Sequence, residues 1–367
     1  MKLVRTTIRL AAAVAALLTA ATLAHAQDKV VRIYNWSDYI DESILEDFTK
    51  ETGIKVVYDV YDSNEVLETK LLAGNTGYDL VVPSGNFLGR QIQAGVFQKL
   101  DKSRIPNWKN LDPKLMAEAA KYDPGNEHAF IYMWGTTGIA YNVDKIKERM
   151  PDAPVDSWKL VFDPAIVAKF KDCGIMMLDA ADDLIPIALN YIGEDPDTKD
   201  PKVIAKGAAV LEKVRPFVRK FHSSENINAL ANGDICISVM YSGDAGIAAT
   251  RAEEAKNGVS IEYRIPKEGA LLWFDMMAMP KDAPDPENAY AFMNYLLQPE
   301  VIAKSSNAVT YPNAVPASYA LIDEEVRNNP NLFPPEELKK KLFVVTPYDQ
   351  KVQRAVTRMW TKITTGG

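Results

Sequence analysis

The stretch that decides the fold is Val30-Val31-Arg32-Ile33-Tyr34-Asn35-Trp36-Ser37-Asp38, an apolar strand pattern that ends in an aromatic ring and an acid. A helix pattern with one apolar face follows from Glu42 to Glu51. Ile54 to Tyr61 is again strand-like, a second helix pattern runs from Ser63 to Ala73, and Asp79 to Val82 is a third strand that is apolar enough to be buried. This alternation predicts an α/β fold in which a mainly parallel sheet is covered by helices on both faces.

An aromatic ring is followed by an aspartate at three predicted strand ends, in Trp36-Ser37-Asp38, Tyr241-Ser242-Gly243-Asp244 and Trp273-Phe274-Asp275. Ligands of open α/β sheets bind beyond the carboxyl ends of the strands, where Ser84 also falls. A ring face attracts an ammonium group, and an ionised carboxylate accepts its hydrogen bonds. The pattern therefore predicts a pocket for an organic cation that is apolar along its length and positive at its ends.

The N-terminus has the pattern of a secretory signal peptide. Lys2, Arg5 and Arg9 precede or flank an apolar run from Leu10 to Leu23, and Ala24-His25-Ala26 is a small-x-small cleavage pattern. A membrane anchor is the alternative, but the run is shorter than the roughly 20 residues that span a bilayer. We expect cleavage after Ala26 and an exported protein.

Charge and length narrow the class of protein. The chain has 367 residues and a net charge of −7, and removal of residues 1–26 with their three basic side chains makes the charge more negative. A chain this acidic is a poor candidate for nucleic acid, whose phosphates require a basic surface. The length is sufficient for two lobes with separate cores.

Two cysteines, Cys173 and Cys236, are present, and both lie beside predicted strands. In an oxidising compartment such a pair is expected to form one disulfide. After loss of the signal peptide only His128 and His222 remain, which is too few for a histidine-rich metal site. We expect neither a metal nor a cofactor.

Motifs for nucleotide binding, zinc peptidases and serine hydrolases are absent: the sequence has no Walker motif, no G-x-G-x-x-G after the first strand, no H-E-x-x-H and no G-x-S-x-G. A glycosidase that uses paired carboxylates, or an exported carbohydrate-binding protein, stays open as an alternative. Sugar chemistry does not, however, predict aspartates beside rings at several strand ends.

The rest of the chain alternates in the same way. A strand that enters a second sheet is predicted to begin at Gly138, and a segment rich in Pro and Asn from Tyr311 to Pro335 is predicted to be an extended wrap. Helix patterns cover residues 178–192, 201–221, 244–257, 286–297 and 348–363, and further strand patterns cover 261–265 and 271–279.

Four separated motifs resemble one known family. They are residues 33–40 (IYNWSDYI), 78–84 (YDLVVPS), 132–138 (YMWGTTG) and 229–234 (ALANGD). The chain resembles, from about Val30 onward, the periplasmic polyamine-binding proteins of putrescine and spermidine importers. The resemblance implies a two-lobed type II periplasmic-binding-protein fold with a ligand cleft at the hinge, no enzymatic activity, and delivery of ligand to the permease of an ABC importer. It also implies a monomer whose lobes are 28–137 plus 271–305 and 138–270 plus 306–367.

The resemblance also implies a set of ligand-binding residues. From the first lobe these are Trp36, Ser37, Asp38, Tyr39, Ser84, Trp273 and Asp275, from the second lobe Asp183, Ser223, Tyr241 and Asp244, and from the tail Tyr311. Asp182 could replace Asp183 by a one-residue shift. The chain departs from the family pattern at Tyr241, where Trp is common, and at Asp183, where Glu is common. The shorter acid and the broad ring of Trp273 would tolerate a ligand longer than putrescine, but the sequence does not rank putrescine, cadaverine, spermidine and spermine.

Several of these residues have purely structural interpretations. Ser37, Asp38 and Asp244 could be helix caps, the Asp182-Asp183 pair could simply favour the positive end of a helix, and the tryptophans could be core rings. Asp275 is the hardest to explain structurally, because an acid in the apolar run Leu271 to Met279 would cost several kcal/mol if it were buried without a partner.

Overall fold

The computed structural model describes residues 29–366, so the predicted signal peptide and its cleavage after Ala26 lie outside the described residues. The strands are β1 Val30–Trp36, β2 Lys55–Tyr61, β3 Leu80–Val81, β4 Ala129–Asn142, β5 Ile175–Met177, β6 Lys220–Phe221, β7 Ile237–Tyr241, β8 Ile261–Arg264, β9 Ala270–Ala278 and β10 Leu342–Phe343. The helices are α1 Glu42–Thr52, α2 Asn64–Ala73, α3 Gly85–Gln93, α4 Pro113–Ala119, α5 Val143–Arg149, α6 Lys159–Phe162, α7 Pro164–Val167, α8 Ala181–Tyr191, α9 Pro201–Val214, α10 Glu225–Ala231, α11 Ser242–Ala255, α12 Pro286–Leu296, α13 Pro299–Val309, α14 Glu324–Arg327, α15 Glu336–Lys339 and α16 Gln350–Thr365.

The first helices begin and end at the residues that local chemistry favours. Asp41 caps α1 by accepting a hydrogen bond from the backbone N–H of Ser43, and α1 ends at Gly53, whose φ of 71° lies in the left-handed region. Ser63 caps α2 through the N–H of Val66. The strands that these helices connect, β1, β2 and β3, are parallel neighbours in the order β2-β1-β3.

The sheet consists of two halves with the same strand pattern. The first half runs β2-β1-β3-β9-β4, and the second runs β6-β5-β7-β4-β8. In each half two parallel pairs are followed by a strand from a distant part of the chain, β9 in the first and β4 in the second. This is the predicted α/β fold with two lobes.

The strands β4 and β9 pass from one half of the sheet to the other. They pair in antiparallel fashion from Ala129 opposite Ala278 to Thr137 opposite Leu271, and β4 continues beside β7 and β8 to Asn142. The prediction that a new strand begins at Gly138 was wrong, because β4 is continuous and buried at all of its positions. Gly138 does not break the strand. A Cβ atom there would lie 2.6 Å from the carbonyl oxygen of Arg264, so the glycine permits close approach to β8.

Separate hydrophobic clusters cover the two halves. The first cluster includes β1, β3, the first half of β4, the end of β9, and α12, and it also takes in Val309 to Val315. A second cluster is built from β5, β7, α8 and α9 and includes Val352 and Val356 of α16, and a third, smaller one includes α10 and α11. The lobe division at residues 28–137 plus 271–305 and 138–270 plus 306–367 stays a prediction, although the contacts of 309–315 are with the first cluster.

Other differences from the sequence-based assignment are local. The helix predicted over 201–221 ends at Val214 and is followed by a short turn and by β6, because Pro216 interrupts the pattern. Helix α13 was not predicted. The segment predicted to be extended contains a 3₁₀ turn at Pro316–Leu321 and the short helix α14.

The predicted disulfide between Cys173 and Cys236 is confirmed, with Cα atoms 5.6 Å apart. Cys173 precedes β5 and Cys236 precedes β7, and these two strands are parallel neighbours. The bond therefore ties together two adjacent strands of the second half of the sheet.

Candidate functional site

A cavity of about 860 Å³, including its open mouth, lies where β4 and β9 pass between the two halves of the sheet. Residues from both halves line it, so it is a cleft at the junction of the lobes. The lining residues are Trp36, Ser37, Asp38, Tyr39, Tyr61, Asp62, Asn64, Ser84, Gly85, Asn86, Tyr122, Asp183, Ser223, Ser224, Ile227, Tyr241, Asp244, Leu271, Leu272, Trp273, Phe274, Asp275, Tyr311 and Val345. Every predicted ligand-binding residue except Asp182 is among them.

The end of β1 contributes the first group of predicted residues. The indole N–H of Trp36 donates to the carbonyl of Val82 at 2.8 Å, which holds the ring at the cavity. Asp38 has a φ of 53°, in the left-handed region that aspartate tolerates better than most residues. Since the cap of α1 is Asp41, the interpretation of Ser37 and Asp38 as helix caps is wrong.

Asp275 is the most buried acid of the cavity, with 5% of its surface exposed. The hydroxyl of Tyr39 donates to its Oδ2 at 2.8 Å, and the hydroxyl of Ser84 donates to its Oδ1 at 2.6 Å. No Lys or Arg among residues 29–366 forms an ion pair with it. Burial raises the pKa of Asp275 to about 7, and the two hydroxyl donors oppose that rise.

Asp244 lies in the first turn of α11 and is held by the tail. The hydroxyl of Tyr311 donates to Asp244 Oδ1 at 2.7 Å and accepts from the backbone N–H of Asp244 at 3.1 Å. Because α11 begins at Ser242, Asp244 is not its N-cap. Burial raises the pKa of Asp244 to about 7, and the charges of Asp38 and Asp275 add to the effect.

The acids Asp182 and Asp183 at the start of α8 face different surroundings. Asp183 lines the cavity, and the hydroxyl of Thr137 donates to its Oδ2 at 3.2 Å. Burial, followed by the neighbouring charge of Asp182, raises the pKa of Asp183 to about 7. Asp182 instead accepts from Arg90 at 3.3 Å and from the side-chain amide of Gln353 at 3.3 Å, in an adjoining cavity.

Aromatic rings form one wall of the cleft. The ring of Trp273 meets those of Tyr241 and Tyr311 edge to face, at centroid distances of 5.4 and 5.3 Å. Trp36 packs against Tyr61 at 4.7 Å. Trp36 and Trp273 are each only partly buried and both face the cavity, so they are not simply core rings.

The charges that line the cleft have one sign. Asp38, Asp62, Asp183, Asp244 and Asp275 are present, and no Lys, Arg or His is among the described lining residues. At the mouth Asp38 pairs with Arg251 of α11 at 3.2 Å, across the junction. Among the described residues, Asp183, Asp244 and Asp275 form no ion pair with a Lys or Arg, although burial raises the pKa of each to about 7. A bound organic cation would supply the compensating positive charge.

The predicted serines occupy the edges of the site. Ser37 donates to Asp62 Oδ1 at 2.7 Å, while Ser223 accepts from the backbone N–H of Asp179 at 3.2 Å. Ser84 precedes α3 and also accepts from the amide of Asn64 at 3.0 Å. Each serine thus orients a neighbouring polar group at the cavity.

Sequence reasoning missed other lining residues. Tyr61-Asp62 at the end of β2 has the same aromatic-then-acid arrangement as the three predicted pairs, so the rule would have found it if it had been applied to that strand. Tyr122 and Val345 lie on irregular segments with no comparable signal.

Metal binding has no structural support within residues 29–366, where no group of three or more His, Cys, Asp or Glu side chains is arranged to hold an ion. Over the same residues, no helix combines the length and apolar character that a bilayer span requires.

Residues 43–334 match the family model of the bacterial extracellular solute-binding proteins. The chain belongs to this family. The putrescine-binding periplasmic protein SpuD of Pseudomonas aeruginosa is 56% identical to it over 93% of each chain, and the putrescine-binding periplasmic protein PotF of Escherichia coli is 53% identical over 93% of each. Among solved structures, a putative spermidine/putrescine ABC transporter protein from Listeria monocytogenes superposes with a TM-score of 0.81 at 31% identity, over 91% of this chain and 98% of that one.

These comparisons confirm the resemblance and the type II periplasmic-binding-protein fold. The solute-binding protein is not an enzyme, and the alternative of a glycosidase or carbohydrate-binding protein finds no support among its relatives. Relatives at this level of identity are periplasmic, and the solute-binding protein is a periplasmic protein as well.

Proposed function

We propose that the solute-binding protein captures a polyamine in the cleft and delivers it to the membrane permease of an ABC importer. The observation that carries the proposal is the cleft itself, which has five aspartates, an aromatic wall and no basic side chain among its described lining residues. The names of its relatives, which bind putrescine or spermidine, support the same ligand class.

In this proposal the acids hold the amino groups and the rings pack along the methylene chain. Asp275 binds from the β9 side, while Asp183 and Asp244 bind from the first turns of α8 and α11. Charged hydrogen bonds contribute about 1.5 to 3 kcal/mol each, and micromolar affinity requires about 8 kcal/mol. Three acids and two rings together give a gross gain on the order of 10 kcal/mol, from which the costs of association and of amine desolvation are subtracted.

Of the two neighbouring acids, Asp183 is the proposed ligand residue. It lines the cleft, whereas Asp182 is already bound by Arg90 and Gln353. The proposed binding set is Trp36, Ser37, Asp38, Tyr39, Ser84, Asp183, Ser223, Tyr241, Asp244, Trp273, Asp275 and Tyr311.

Binding is coupled to closure of the lobes. A ligand that bridges Asp275 to Asp183 and Asp244 stabilises the state in which the two lobes approach, and the permease recognises that state. The protein acts as a monomer after cleavage of the signal peptide behind Ala26. Its lobes are residues 28–137 plus 271–305 and 138–270 plus 306–367, with the tail around 309–315 resting on the first.

Calorimetric titration with putrescine, cadaverine, spermidine and spermine tests the proposal and ranks the four ligands. We expect micromolar or tighter binding of at least one of them, together with compaction in small-angle scattering. Glucose and maltose serve as controls for a sugar site. If none of the four amines binds, the proposed function is contradicted. If one binds without compaction, the closure step is contradicted.

A further inference from the structure

Gly135 of β4 lies directly opposite Trp273 of β9 in the ladder that joins the two lobes. The indole ring extends across the glycine. A Cβ atom at position 135 would lie 2.6 Å from Cζ2 and 2.9 Å from Cη2 of Trp273, and 2.9 Å from Oγ of Ser242. Since non-bonded carbon atoms pack at about 3.5 to 4.0 Å, a side chain at 135 and the indole in its present place exclude each other.

The backbone gives no other reason for a glycine at this position. Gly135 is not among the residues with positive φ, in contrast to Gly53 and Gly193, so an L side chain would not strain the strand. Glycine in the interior of a strand is otherwise unfavourable, because it packs no side chain and loses more entropy on folding. The close approach of the Trp273 indole, with the Ser242 hydroxyl beside it, is thus the local feature that requires a glycine.

The ring has little freedom to move if it is displaced. Tyr241 and Tyr311 contact it edge to face, and the ladder fixes the backbone on both sides. Trp273 and Asp275 are two residues apart on β9 and project from the same face of the sheet. If a side chain at position 135 displaced the indole, the ring would move along the face of the sheet that carries Asp275. The shape of the cleft would then change next to Asp275.

The same arrangement recurs at two other walls of the cleft. The ring of Tyr311 lies against Gly243, and a Cβ at Gly85 would lie 2.6 Å from Cδ2 and Cε2 of Tyr122. Three rings that line the cavity thus each pack directly against a glycine.

We propose that Gly135 is a specificity-determining positioning residue of the cleft: it provides the space that an indole at position 273 occupies and so sets the width of the cleft beside Asp275. The inference rests on the proposed polyamine binding. It assigns the choice of ligand to the pair Gly135 and Trp273 acting together, and not to Trp273 alone.

The test is a double-mutant cycle that measures the affinity for putrescine and for spermidine. Gly135→Ala is expected to weaken binding of the better ligand at least tenfold. The cycle is measured in a Ser242→Ala background, which removes the hydroxyl that a Cβ at position 135 would also meet. Trp273→Phe removes the outer indole atoms, so the double variant Gly135→Ala/Trp273→Phe is expected to bind within threefold of Trp273→Phe in that background. If the double variant is as impaired in folding or binding as Gly135→Ala, the contact with Trp273 is not the reason for the glycine and the inference is wrong.

Gly138→Ala is the matched control, because it adds a methyl group to the same strand against Tyr263, which does not line the cavity. It is expected to lower the melting temperature and to leave the dissociation constant within threefold of the unmodified protein. Unmodified protein that binds no polyamine would refute the proposed function. Unmodified protein that binds, with Gly135→Ala binding equally well, would refute this inference alone.

Discussion

Ser84 and Asp275 face each other across an isolated antiparallel bridge, and the Ser84 hydroxyl donates to Asp275 Oδ1 at 2.6 Å. The hydroxyl of Tyr39 donates to the other carboxylate oxygen at 2.8 Å. Each oxygen keeps further acceptor capacity, since an ionised carboxylate has about four acceptor positions. The carboxylate is thus oriented before any ligand arrives and remains able to accept from an ammonium group.

Asp275→Asn should weaken polyamine binding at least tenfold, because the amide carries no charge and a charged hydrogen bond contributes about 1.5 to 3 kcal/mol. The melting temperature of the empty protein should be nearly unchanged, since the amide fills the same space without the penalty of a buried charge. Titration calorimetry and thermal unfolding measure the two effects. Asp59→Asn is the control, because Asp59 also accepts from a tyrosine hydroxyl, that of Tyr78, but lies outside the cleft. An unaltered dissociation constant in Asp275→Asn would remove Asp275 from the site.

Asp183→Asn and Asp182→Asn should separate two adjacent acids. We expect the first to weaken binding at least tenfold, because Asp183 lines the cleft, and the second to change it less than threefold, because Arg90 and Gln353 already occupy Asp182. The two variants are measured side by side by titration calorimetry. The reverse order of effects would assign the ligand contact to Asp182.

Polyamine binding should release protons at neutral pH. Burial places the pKa values of Asp183, Asp244 and Asp275 at about 7 in the empty cleft, and an ammonium group favours their ionised forms. Affinity should therefore rise between pH 6 and pH 8, while the amines stay charged. Titration calorimetry at pH 7 in phosphate and in Tris should give different apparent binding enthalpies. The slope of the apparent enthalpy against the ionisation enthalpy of the buffer reports release of about one to two protons. Equal enthalpies in both buffers would contradict the raised pKa values.

The stability of the empty protein should fall as pH rises from about 5 to 8. The folded-state pKa values of these three acids are above their ordinary values, so between the two values the folded protein binds more protons than the unfolded chain. The free energy of unfolding then decreases with rising pH. Melting temperatures across this range measure the effect, and the triple variant in which all three acids are replaced by Asn should show a flatter profile. If the melting temperature of that variant falls with pH as steeply as that of the unmodified protein, the pH dependence belongs to other groups.

Replacing both cysteines by serine should destabilise the protein without altering the cleft. The Cys173–Cys236 bond closes a loop with a sequence separation of 63 residues, and its loss corresponds to about 4 kcal/mol on the chain-entropy model. Denaturant unfolding measures the loss. The dissociation constant for polyamine should stay within twofold, since neither cysteine lines the cavity. A large loss of affinity with unchanged stability would contradict this assignment.

Six of the predicted site residues follow from one local rule, and the others were implied by the family resemblance. Trp36 with Asp38 and Tyr241 with Asp244 lie where β1 and β7 end. The strand end predicted at Trp273 and Asp275 was wrong, because both lie inside β9, which continues to Ala278. The structure nevertheless brings all six residues to one cleft. Asp182 and Asp183 could not be separated by such a rule. Their difference depends on Arg90 and Gln353, which approach from α3 and α16 and are far away in sequence.

The fold was predictable where local signals mark the ends of elements and not where the chain is uniformly apolar. Ser63 and Gly74 mark α2, and the structure follows them. No such signal lies between Ala129 and Asn142, so the passage of β4 from one half of the sheet to the other was not seen. Gly138 was misinterpreted as the start of an element because close contact between strands cannot be distinguished from a chain break in sequence alone.

The shared strands also constrain the order in which the chain can fold. In the first half of the sheet β3 needs β9 as its neighbour, and β9 ends at Ala278, nearly two hundred residues after β3. The N-terminal lobe is therefore synthesised first but cannot be completed until most of the chain exists. Pairings this distant in sequence form slowly. The topology therefore makes the late pairing of β9 a step on which completion of the whole first half of the sheet depends.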